Sequence, residues 1–124
     1  MVALAACGLN VRSPDLFVLK RTGEGQTLTL LVNDDGTIRC NGGEPKQLPD
    51  KQLLVARDLA TSLNNDAKAK LQLAAGLPGS VDFYTVTLPN GKITFPDTAA
   101  RSHKELAQAE LFTVQAAQSP CGLG

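Results

Sequence analysis

The 124-residue chain has no tryptophan, one tyrosine and one histidine, and aromatics make up only 4% of it. That scarcity argues against a base-stacking platform for nucleic acids. Charge of one sign is also missing. Twelve basic residues balance twelve acidic ones, which removes the electrostatic attraction behind most nonspecific nucleic-acid binding. No segment approaches the ~20 apolar residues needed to span a bilayer. With 43% hydrophobic and 19% charged residues, the length suits one folded domain with a modest core.

Cysteine is sparse but informatively placed. Leu4-Ala5-Ala6-Cys7 resembles the lipobox of bacterial lipoproteins, in which small residues precede a cysteine that takes a diacylglycerol before cleavage. The resemblance implies Cys7 as the lipidation site and a membrane anchor outside the cytoplasm, stable because several acyl chains share one residue. Only six residues precede Cys7 and none is basic, so a full secretory signal is not represented. The other reading of this stretch is a short apolar strand with a buried free thiol. Residues 1–15 are therefore set apart as signal remnant, lipobox and tether, and residues 16–124 as a single domain.

Cys40 and Cys121 then remain, an even pair in an exported protein, which predicts one disulfide. Cys40 shares a strand face with Ile38, and Cys121 continues the helical series Ala107, Leu111, Val114, Gln118. A metal site is the rival reading, but two distant cysteines and one histidine lack ligand spacing.

Periodicity supplies the elements. Leu16–Leu19 predicts a first strand, broken by Arg21–Gly25. Gln26–Val32 alternates, and Asn33-Asp34-Asp35-Gly36 predicts a hairpin loop setting Val32 opposite Ile38 and Leu30 opposite Cys40. After a breaker at Gly42–Pro45, Asp50 is the expected cap of a helix with a stripe of Leu53, Ala56, Leu59, Ala60 and Leu63. Asn64-Asn65 weakens that helix, and residues 67–75 read either as its extension or as a separate turn.

Val81–Leu88 alternates again, and Asn90-Gly91 predicts a second hairpin with Leu88 opposite Ile93, Thr87 opposite Thr94 and Val86 opposite Phe95. Ser102-His-Lys-Glu105 reads as a capping box opening a last helix to about Gln118 through Leu106, Ala109, Leu111, Val114 and Ala117. The expected fold is α+β and two-layered: an antiparallel sheet of about five strands with two helices on one face, in β-ββα-ββα order.

Chemistry-bearing motifs are absent. His103 reads as a solvated helix-start residue. Asn33–Gly36 lacks the alternation and closing Glu of a calcium loop, and Gly23-Glu-Gly25 lacks the rest of a phosphate loop; both read as turns. No serine or cysteine sits in a nucleophile motif. No catalytic residue, metal or cofactor is expected.

The sheet face opposite the helices is the more informative feature. It carries Thr27, Thr29, Leu31, Thr37, Arg39, Phe83, Thr85, Thr87 and Thr94. Threonine is a good strand former on any solvated surface. The two apolar residues and the arginine suggest instead a shallow binding face made by Leu31, Arg39, Phe83 and Thr85. Finally, Phe17-Val-Leu-Lys20-Arg21-Thr-Gly23, Asp50-Lys-Gln-Leu-Leu-Val-Ala-Arg57 and Val81-Asp82-Phe83-Tyr84-Thr-Val together resemble emfourin-like proteins, small bacterial α+β proteins. That resemblance implies inhibition of thermolysin-type zinc metalloproteases; the lipobox and the cysteine pair depart from it. The expected function is a non-catalytic, lipid-anchored binding module, with a structural accessory of the cell envelope as the alternative. The expected partners are the membrane through Cys7 and a protease or envelope protein.

Overall fold

A computed structural model describes residues 15–73 and 79–123. Cys7, the tether and the stretch 74–78 lie outside the described residues. Six strands and two helices follow in order: β1 (Asp15–Gly23), β2 (Gln26–Asn33), β3 (Thr37–Cys40), β4 (Pro45–Gln47), α1 (Asp50–Lys68), β5 (Asp82–Leu88), β6 (Gly91–Pro96) and α2 (Lys104–Gln118). A 3₁₀ turn, Asp97–Arg101, joins β6 to α2. The strands form one antiparallel sheet in the order β4-β3-β2-β1-β5-β6. The fold is α+β, as its alternation of hairpins and helical stripes predicts.

The sheet has six strands rather than about five. Pro45–Gln47, whose proline reads in the sequence as the end of a breaker, pairs with β3 as a short exposed edge. Two polar residues behind a proline carry no periodicity, so this strand is visible only in its pairing. β1 also runs past the expected break at Arg21. The chain reverses at Glu24-Gly25, whose φ values of 52° and 75° give the doubly left-handed turn that matches strand twist.

The first hairpin has the expected register, Val32 opposite Ile38 and Leu30 opposite Cys40. The second differs by two residues: Leu88 faces Gly91, Val86 faces Ile93 and Tyr84 faces Phe95. Pro89 and Asn90 form the loop. Proline has no N–H to give to a ladder, so it moves out of the strand and into the turn. A two-residue shift preserves face parity, so the apolar pairs stay on one side.

That side is the core. Phe17, Leu19, Leu30, Val32, Ile38, Val86, Ile93 and Phe95 are buried beneath Ala56, Leu59 and Leu63 of α1 and Leu106, Ala109, Phe112 and Ala116 of α2. Phe112 meets Phe17 edge-on at 5.9 Å, and Tyr84 stacks on Phe95 at 5.0 Å. The helices run antiparallel: Gln52 Nε2 at the start of α1 donates to the Ser119 carbonyl beyond the end of α2.

Both helix starts differ from expectation. Pro49 takes the position before α1 and Asp50 is its first helical residue, where a carboxylate favours the positive end of the helix dipole. The Ser102–Glu105 box does not form, because Ser102 closes the 3₁₀ turn through its N–H to Ala99 O; His103 precedes α2 without a side-chain cap bond. α1 continues through Asn64-Asn65, with Asn64 Oδ1 accepting the Asn90 N–H of the second hairpin.

The buried stripe of α2 also departs from the expected one. Leu111 and Val114 face solvent at 57% and 45% exposure, while Phe112, Thr113 and Ala116 turn inward. Thr113 satisfies its buried hydroxyl on the Ala109 carbonyl at 2.7 Å. Cys121 therefore reaches the interior by another route. After Gln118 the chain folds back, its Cys121 N–H bonding to Ala116 O, and Cys121 joins Cys40 with 5.8 Å between Cα atoms. The predicted disulfide is present.

Candidate functional site

With both helices on one side, the other face of the sheet is covered by neither helix among the described residues, although Pro96 at its β6 end is buried. The registers arrange it in rows across the strands. One row reads Lys92, Thr87, Val18, Leu31, Arg39; the next Thr94, Thr85, Lys20, Thr29; a third Pro96, Phe83, Thr22, Thr27. Thr37 stands on β3 beside Gln47. Threonine is branched at Cβ, so its hydroxyl is held in few orientations before any partner arrives.

The four residues singled out from sequence are divided by this arrangement. Leu31 and Arg39 are direct cross-strand neighbours, with Val18 on the other side of Leu31. Thr85 lies between Lys20 and Thr94. Phe83 stands apart, half-buried between Thr22 and Pro96, two strands and four residues from Leu31, or about 16 Å at ordinary strand spacings. The Arg39 guanidinium is exposed and donates to the Gly43 carbonyl at 3.1 Å.

Lys20, Lys92, Val18 and Thr22 belong to the same face and were not read from sequence. Lys92 follows the Asn90-Gly91 signal and could have been placed from it. Lys20 and Val18 follow from the Glu24-Gly25 turn, which reads in the sequence as a break rather than a hairpin; only the pairing of their strand with β5 is set by tertiary contact. Among the described residues no carboxylate stands on the strand rows between Arg39, Lys20 and Lys92. Asp15, at the start of β1, accepts a bond from Asn33 Nδ2 at 3.0 Å.

Titratable groups on the helix side make two further clusters. Asp66 of α1 and Glu105 of α2 meet across the helix pair. Burial, followed by a hydrogen bond to Glu105, raises Asp66 to about 6, while that same bond holds Glu105 below its ordinary value. Asp66 Oδ2 is buried with no donor facing it. Two adjacent carboxylates disfavour each other's charge, so Asp66 is the member of the pair that holds its proton more readily. His103 lies close enough to favour the charged form of both. Glu110 is pushed up to about 7, first by burial and then by Asp97 and Asp82. Asp97 itself accepts the N–H groups of Val81 and Asp82, pinning the 3₁₀ turn to β5.

Among the described residues no group of His, Cys, Asp and Glu is placed to hold a metal ion, and no helix is long and apolar enough to cross a membrane. A hollow of about 660 Å³ lies between the helices at Asp66 and Glu105, and another of about 590 Å³ beside Arg21, Asn41 and Asp82 touches the threonine-rich face only at Thr27. That face is flat. Comparison of the chain with protein-family models, curated proteins and solved structures finds no match.

Proposed function

We propose that the protein is a non-catalytic binding module of the extracytoplasmic cell envelope, anchored by lipid at Cys7 and working through the open face of its sheet. The observation that carries this reading is the face itself. A layer of ordered hydroxyls with exposed cations, covered by neither helix, is a surface suited to recognition rather than to chemistry. The Cys40–Cys121 disulfide supports export, since such bonds persist in oxidising compartments.

The partner differs between two forms of this reading. The emfourin-like resemblance favours a thermolysin-type metalloprotease, and a structural accessory of the envelope is the alternative. Titration of the purified chain into a thermolysin-type protease separates them. Stoichiometric loss of activity, abolished by Leu31→Asp with Arg39→Glu at unchanged melting temperature, is the outcome for an inhibitor. Undiminished activity at excess protein leaves the accessory form. Mass spectrometry of membrane fractions, with a diacylglycerol mass on Cys7, tests the anchor; an unmodified chain in the cytosol rejects it.

A further inference from the structure

Three cations are spaced across the open face. Arg39 lies on β3, Lys20 on β1 and Lys92 on β6, each two strands from the next and offset by one row. At ordinary strand spacings their Cα atoms are about 12 Å apart. All three are exposed, and between them stand Thr29, Thr85, Thr87 and Thr94. Resting on the reading of this face as the binding surface, we propose that its occupant is an anionic polysaccharide, an extended sugar chain with carboxylate or sulfate groups lying across the strands.

The chemistry fits at three points. The cations give attraction for a repeating acid without a pocket, and a polymer needs none. The threonine hydroxyls both donate and accept, which matches sugar hydroxyls, and their fixed rotamers reduce the ordering cost of binding. A protein partner would instead look for an apolar, aromatic centre, and the apolar groups here are dispersed: Val18 beside Leu31, and Phe83 about 16 Å away. A second copy of the chain is disfavoured because the same three cations would oppose one another across a twofold interface.

The test is affinity electrophoresis of the folded, disulfide-bonded chain in gels containing polygalacturonate, heparin, neutral dextran or polyglutamate, read beside its circular dichroism. Retardation by polygalacturonate or heparin, weakened by salt and absent in dextran, is expected. Lys20→Gln, Arg39→Gln and Lys92→Gln combined should weaken it about tenfold or more with an unchanged melting temperature. Stronger binding of one polymer assigns carboxylate or sulfate as the recognised group. Equal retardation by polyglutamate, binding kept by the triple variant, or no retardation in either polysaccharide overturns the proposal. If polysaccharides fail while the Leu31→Asp/Arg39→Glu variant still loses a protein partner, the open face remains the binding surface and only this occupant is wrong.

Discussion

Gly36 and Glu110 illustrate how single residues constrain this molecule. The first hairpin closes on an Asn33 carbonyl that accepts the Gly36 N–H at 3.1 Å, with Gly36 at φ 95°. A Cβ there would adopt a disfavoured backbone and approach Gln47 Nε2 to 2.9 Å and Leu53 Cδ2 to 3.4 Å. Gly36→Ala should therefore destabilise by roughly 1–2 kcal/mol, read as a shift in the urea midpoint at constant slope. Glu110 makes a different prediction. Its raised value, and that of Asp66, mean that the folded chain holds protons the unfolded chain releases. Their favourable contribution is complete below the ordinary carboxyl range and is lost as pH rises through about 6 to 7. Melting temperature should fall between about pH 5 and pH 8 in a scan of buffers. Glu110→Gln should raise it at the alkaline end and change little at the acidic end; an equal change at both ends would contradict the assignment.

Among the elements, the edges and the tail are the most consequential. A sheet edge offers unpaired N–H and C=O groups to other chains. Here β4 is three residues long and begins with proline, and β6 is partly covered where Leu73 N–H bonds to Thr94 O and Gln72 bridges to the same residue. Recognition by strand addition is thereby disfavoured, which directs attention to the open face. The tail is held by Cys121, and the bond to Cys40 closes a loop with a sequence separation of 81. In the chain-entropy account a loop of this size contributes about 4–5 kcal/mol. Replacing both cysteines with alanine should lower the melting temperature by roughly 10–20 °C, measured by calorimetry, with the sheet content retained at low temperature. The same bond ties β3 to the end of α2, so reduction should loosen the tail after Gln118 first, seen as faster amide exchange at Cys121 to Leu123.

For the whole molecule, an electrically neutral chain has a sheet face on which the only charges are cations, while its other described cations, Lys51, Arg57, Lys68 and Lys104 among them, share the helix side with the acids. The described open face carries Arg39, Lys20 and Lys92 without an intervening acid, while Asp66, Asp82, Asp97, Glu105 and Glu110 gather on the helix side. Net charge read from composition concealed this, because composition has no direction. The ion pair between Arg57 and Asp34 at 2.9 Å, half-exposed on both sides, fixes the first hairpin against α1 but adds little stability. The spacing of the three cations is a consequence of β1 lying between β2 and β5, which places Lys20 midway between the other two.

The alternation of Gln26–Val32 and Val81–Leu88, the turn at Asn33–Gly36 and the stripe Ala56, Leu59, Leu63 settled fold class, face parity and two helices before any coordinate, because each is a local consequence of the two backbone periods. The pairing of Cys40 with Cys121 was legible from their count and from the strand parity of Cys40, whereas the helical series expected to carry Cys121 inward faces solvent and the chain after Gln118 does so instead. Strand order, the edge strand Pro45–Gln47, the register at Pro89 and the inward turn of Phe112 were decided in three dimensions. They depend on which surfaces compete for burial and which backbone groups find partners, and neither is a property of a residue's immediate neighbours in the chain. The row of cations belongs to that second kind: its members are distant in sequence and become neighbours only through hydrogen bonds between strands.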